Sequence, residues 1–247
     1  MDGIAEAMRM ETPGVAIFRS SSIPEGAFVP EKGCSIPGLL VRCARLGDIC
    51  AADRAHVFCH GAQSGLGFGG MFNREHSYWT SSDIPCDNAG EVKHPGKRHF
   101  ASPEIAKKQI DLIKDYGDGK DCIVFRRLDD ALEAGDPVEV VVYLADPARI
   151  SALSLLAGFS RDSPEPATFM PYGFGCQQIY AIPRAEGEKE HPRAVLGMTD
   201  MYARRFIRPD EMSFAVPFSL YRTMVDDIPR SFLATDKWKQ TLDKCVR

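Results

Sequence analysis

The chain has 247 residues and a formal net charge of −4, with 44% hydrophobic and 26% charged residues. This is ordinary globular usage, and a chain of this size buries enough surface to fold without staples. The acidic balance argues against general nucleic-acid binding, which needs clustered Lys and Arg to neutralise phosphates, and no run approaches the roughly 18 apolar residues of a membrane span.

The first residues, Met1 to Gly14, are acidic and weakly amphipathic. They lack the basic start and apolar core of a secretion signal, so a cytoplasmic location is expected. Thiols are kept reduced there, so the eight cysteines are expected to be free, metal-bound or reactive rather than bridged.

In chain order, Gly14 to Phe18 reads as a short apolar strand, followed by a Ser/Pro/Gly-rich loop to Pro30. Pro37 suits a first helical turn. Leu39, Leu40, Cys43 and Leu46 follow at helical spacing and Gly47 can stop the helix. His56-Val57-Phe58 reads as a strand leading into Cys59-His60-Gly61, and Gly61 to Gly70 is the most glycine-dense passage. Asn73 to Arg98 is polar and is expected as one long functional loop. Ser102-Pro103-Glu104 opens the clearest helix, with a Ser cap, Pro in the first turn and Glu at the positive dipole end. Gly117 ends it.

Cys122 to Phe125 and Val138 to Leu144 read as buried strands, the second rich in β-branched residues. Asp146-Pro147 repeats the cap-plus-proline device for a helix to Gly158. Beyond the Pro-rich link Ser163 to Pro166, a helix is expected over Cys176 to Ile182, with strands over Ala194 to Met198 and Met212 to Val216. Pro217 begins a helix that stops before Pro229, and a short amphipathic tail helix carries Trp238 and Leu242. Strands and helices mix without strict alternation. The expected fold is α+β: a single mixed domain over 1–247, with a mostly antiparallel or mixed sheet packed by helices.

The cysteines divide by context. Cys43 on an apolar helix face, Cys122 in a strand, Cys245 near the chain end and Cys50 in a connector read as packing or surface thiols. Cys34, Cys59, Cys86 and Cys176 each fall in a turn or at the edge of an element. Cys176, in Gly173-Phe174-Gly175-Cys176-Gln177, starts a helix, where the dipole favours a thiolate. Glycines beside a ligand let backbone N–H groups approach sulfur. Four thiolates suit a [4Fe–4S] cluster or a zinc ion. No C-x-x-C supports the set, and the bland alternative is four inert cysteines beside turns.

His60 adjoins Cys59, while His76, His94 and His99 read as solvated. The Gly65 to Gly70 run lacks the Gly-Lys-Ser/Thr ending of a phosphate loop, although Gly61, Gly65 and Gly67 can still admit a cofactor. Asp200 with Arg204 and Arg205 reads as a salt-bridged turn. Its functional counterpart is recognition of a small anion by the Arg204 fork, with Gln177 beside the cysteine.

These residues also carry a resemblance. Lys32-Gly33-Cys34, Cys59 with Gly65-Leu66-Gly67-Phe68-Gly69, and Ser102-Pro103-Glu104 come first. Gly173-Phe174-Gly175-Cys176-Gln177, Gly197-Met198-Thr199-Asp200 with Ala203-Arg204, and Pro209-Asp210 through Ser213-Phe214-Ala215-Val216-Pro217 complete it. Together they resemble the prokaryotic domain-of-unknown-function family 169. The resemblance implies the fold class and lends no reaction. It implies recurrent cysteines at Cys34, Cys59 and Cys176, with Cys86 in a variable loop. The chain departs from that family after Cys59, where relatives tend to place Pro or Gly and this chain has His60.

The expected function is therefore a cytosolic protein binding a metal or iron–sulfur cluster through Cys34, Cys59, Cys86 and Cys176, with a redox or ligand-sensing role. The alternative is a metal-free thiol-dependent enzyme, with Cys176 as nucleophile, or a small-anion-binding module.

Overall fold

The computed structural model describes residues 2–31, 36–57, 60–68, 80–82, 86–88, 92–94, 96–110 and 122–245, with 60, 64, 86–88, 92–94, 109–110 and 245 described by backbone alone. Asp2 caps α1 (Gly3–Ala7), and β1 (Val15–Ser20) follows. α2 (Ile36–Leu46) buries Leu39, Leu40 and Cys43 of the pattern that predicted it, together with Ile36, while Leu46 at its end is exposed. β2 (Cys50–Asp53) comes next, where a connector was expected. Of the strand expected over His56 to Phe58, His56 instead ends a 3-10 turn (Arg54–His56), because the Asp53 carboxylate accepts from the N–H groups of Ala55 at 2.9 Å and His56 at 3.0 Å, and Phe58 lies outside the described residues. An Asx turn of this kind diverts the backbone from a ladder.

α3 (His60–Gly65) follows. The expected long loop contains a two-stranded antiparallel sheet, β3 (Cys86–Asn88) with β4 (Val92–His94). Strands of three mostly polar residues show no alternation from which to read them. α4 (Pro103–Ile110) begins as predicted, with the Ser102 hydroxyl accepting from Ile105 N–H at 3.3 Å. Its expected end at Gly117 lies outside the described residues.

β5 (Cys122–Arg127) runs directly into α5 (Leu128–Ala134), which has no side-chain N-cap and closes at Gly135 in the left-handed region. The rest comprises β6 (Val140–Ala145), α6 (Pro147–Gly158), β7 (Thr168–Phe169), a π-helical turn (Gln177–Ala181) continuing into α7 (Ile182–Glu186), β8 (Ala194–Gly197), β9 (Met212–Pro217), α8 (Phe218–Asp227) and α9 (Asp236–Cys245).

Among the described residues, seven strands form an open sheet in the order β2-β5-β1-β6-β9-β8-β7. Every pairing is antiparallel except β7 with β8. The fold is α+β. Alternation along each strand feeds two cores. Val15, Ile17, Phe125, Val140 and Val142 face α2 and the Cys176 turn. Ala16, Phe18, Val124, Val141 and Tyr143 face α1, α5, α6 and α8. Burial on both faces explains why β5 and β6 read as unbroken apolar runs despite antiparallel pairing. Among the described residues no helix is long and apolar enough to cross a membrane.

Candidate functional site

The turn bearing Cys176 is held by two buried glutamines, 1% and 0% exposed at Gln177 and Gln178. Gln177 Oε1 accepts from Phe174 N–H at 2.8 Å. The Gln178 amide donates to Pro171 O at 2.9 Å and Thr199 Oγ1 at 2.6 Å, and its Oε1 accepts from Thr199 N–H at 3.0 Å. One side chain thus ties the 171–176 loop to the turn after β8. Both glutamines sit in the π-helical turn, a rare conformation that recurs at functional sites.

Cys176 is 3% exposed and packs in the core on the α2 side of the sheet. A Cβ placed on Gly65 would lie 2.4 Å from Cys176 Cβ, 2.7 Å from its carbonyl carbon and 2.8 Å from Gln177 N. Only a glycine lets α3 come this close. At Gly175 a Cβ would lie 2.7 Å from Ala203 Cβ and 3.6 Å from Pro37 Cγ in α2. The start of α2, the end of α3 and the turn after β8 therefore all meet at Gly175-Cys176.

Cys34 and Cys59 lie outside the described residues, and Cys86 is described by its backbone, opposite His94 in the small sheet. Among the described residues no group of three or more His, Cys, Asp or Glu is placed to hold a metal ion. Cys43, Cys50 and Cys122 are buried. Burial raises all three thiols, Cys50 to about 12 and Cys122 to about 11. They stay protonated and unreactive, as their sequence context suggested.

The expected cofactor-binding residues are placed as follows. Gly61 lies over the Phe174 ring, with a Cβ position 3.3 Å from Cδ2. Gly65 lies under Cys176, and Gly67 takes φ +75° just after α3. Gln177 folds back on its own turn. Arg204 donates to the carbonyls of Glu211, Arg208 (3.2 Å) and Pro209 (2.7 Å), so its fork is committed to the loop before β9. Asp200 pairs with a residue from elsewhere, not with Arg204 or Arg205.

That residue is Lys97, part of a cluster absent from the sequence expectations. Lys97 Nζ lies 3.5 Å from Asp200 Oδ2 and 4.4 Å from each of the ring centroids of Phe174 and Tyr202. The two side chains are 6% and 8% exposed. His99, expected to be solvated, places Nδ1 3.2 Å from the Tyr172 hydroxyl. Burial, then the charge of Lys97, holds its pKa below 6.5, so the ring is neutral at neutral pH. Burial raises the Tyr172 hydroxyl, which stays a proton donor. Residues 97–99, 172–174 and 200–202 share no local motif, and the one sequence signal is a basic run beside aromatic residues.

A cleft of about 420 Å³ on the other face of the sheet, floored by Leu156, Leu220 and Met224, includes none of the candidate residues. A family model described as uncharacterised ArCR, domain-of-unknown-function family 169, matches residues 3–227. No curated protein and no solved structure matches the chain.

Proposed function

From the premise that the chain belongs to domain-of-unknown-function family 169, described as uncharacterised, we propose that it holds a cysteine-ligated metal centre, most concretely an iron–sulfur cluster. Cys34, Cys59 and Cys176 are the core ligands and Cys86 the fourth, and the role is redox or ligand sensing. One observation supports this reading. The segments that follow Cys34 and Cys59 in sequence, α2 and α3, both touch the Cys176 turn, through Pro37 and Gly65.

The chemistry of the turn suits the group. Cys176 is buried in the same apolar core as Leu66, Ile179 and Met198, and a dry shell with small neighbours tunes a cluster's potential. The cytoplasmic setting belongs to the same proposal, since it keeps unbridged thiols available as ligands.

The test is iron, zinc and acid-labile sulfide content, with a visible spectrum, on protein purified without oxygen. The expected result is iron and sulfide at about four each per chain, lost in Cys59→Ser and Cys176→Ser. Zinc without sulfide would move the reading to a structural or hydrolytic site. No metal in the anaerobic protein would sink it.

A further inference from the structure

We infer that Lys97 and Asp200 are positioning residues that latch the turn after β8 over Cys176 and so control access to its thiol. Asp200 opens that turn: its Oδ1 accepts from Tyr202 N–H at 3.0 Å and its carbonyl from Ala203 N–H at 2.9 Å. Ala203 ends it, packed directly on Gly175, the residue before Cys176. The turn that packs beside the cysteine is therefore built on Asp200, and Asp200 is held by Lys97.

Lys97 is a suitable anchor. Its ammonium faces a carboxylate and two aromatic rings in a nearly dry setting, where cation–π attraction is stronger than at an exposed site. One of those rings, Phe174, belongs to the cysteine turn, and the other, Tyr202, to the turn after β8. A single charge thus grips both parts. The segment bearing Lys97 is itself pinned, with His99 N–H donating to Thr80 O at 2.7 Å.

Backbone strain marks the same two segments. Arg98 (φ 49°) and Met198 (φ 58°) are non-glycine residues in the left-handed region. One adjoins Lys97 and the other lies two residues before Asp200. Such conformations persist where surrounding contacts over-determine them, and they are released when those contacts go.

The inference concerns access to the thiol of the proposed site, and its test does not need the metal. The 247-residue chain, dialysed against a chelator where metal is found, is labelled with a small neutral thiol reagent. The rate at Cys176 is read by peptide mass spectrometry beside those at Cys43, Cys50 and Cys122. Lys97→Met and Asp200→Asn should each raise the Cys176 rate roughly tenfold with the three core cysteines unchanged, as expected of local opening. Lys97→Arg, which keeps the charge, should label slowly, like the parent. An unchanged Cys176 rate in both variants would overturn the latch. So would a parallel rise at the core cysteines, which marks global loosening, or fast labelling of Lys97→Arg. Metal content is measured on the same preparations before dialysis, so its absence sinks the ligand reading and leaves the latch to the labelling rates.

Discussion

A methyl group at Gly65 meets backbone rather than a flexible side-chain tip: the Cys176 carbonyl carbon at 2.7 Å and Gln177 N at 2.8 Å. Neither can move without disturbing the π-helical turn. Gly65→Ala should therefore cost about 1–3 kcal/mol, the usual range for overpacking. Gly158→Ala is the control. There the nearest atom is Ala167 Cβ at 3.6 Å, and alanine is the better helix former at the end of α6. Urea midpoints of the two variants should move in opposite directions. His99 supplies a pH signature at the same scale. Its folded pKa lies below the ordinary 6.5, chiefly through burial. The unfolded chain takes up the proton first, so stability is full above 6.5 and falls as pH drops through the folded value. His99→Gln should flatten the fall in stability on the acid side of the ordinary 6.5. Single residues were read well where burial alone decides, as at Cys43 and Cys122. They were misread where a partner lies far away in sequence: His99 needs Tyr172, and Asp200 needs Lys97.

The elements that announced themselves were those with caps or long apolar patterns. Ser102 and Asp146 cap the helices they were expected to cap, and Asp146 accepts from Arg149 N–H at 3.0 Å. α5 escaped notice because it starts straight off β5 without a capping side chain. β2 escaped because Cys50-Ala51-Ala52-Asp53 has neither β-branched residues nor alternation. The π-helical turn is the element with functional weight, and sequence periodicity read it as ordinary helix. Its register depends on Gln178, whose amide answers Pro171, Thr199 Oγ1 and Thr199 N–H together. Gln178→Leu keeps the volume and strips these bonds. It leaves the Thr199 N–H and the Pro171 carbonyl without this partner, at about 1–3 kcal/mol for each buried group left unsatisfied. Denaturant unfolding should show a loss of that order. Labelling of Cys176 should quicken as the 171–176 loop comes away from the turn after β8.

For the whole molecule, the strand order was the least legible property. β1 lies between β5 and β6, more than a hundred residues away along the chain, and no local pattern encodes such a pairing. The candidate site shares this character: α2, α3, the 171–176 loop and the turn after β8 meet only once the sheet has brought them together. Glycines at the contact points were visible in the sequence, but what they touch was not. The beginning of the chain makes the same point in energetic terms. Asp2, 3% exposed, caps α1 through Ala5 N–H at 3.1 Å. It also accepts from Gly14 N–H at 2.8 Å and from the Tyr143 hydroxyl of β6 at 2.9 Å. Tyr143 is fully buried, so removing the carboxylate strands its hydroxyl in an apolar layer beside an unpaired amide. Loss of a cap alone costs about 1 kcal/mol, and each orphaned buried donor adds about 1–3 kcal/mol. Asp2→Ala should therefore destabilise by roughly 3 kcal/mol or more, beyond the about 1 kcal/mol of a lost cap alone. A fall in the urea midpoint with an unchanged slope would place the effect in the native state. A loss of no more than about 1 kcal/mol, the value of a cap alone, would show that the bonds to Gly14 and Tyr143 add nothing to stability.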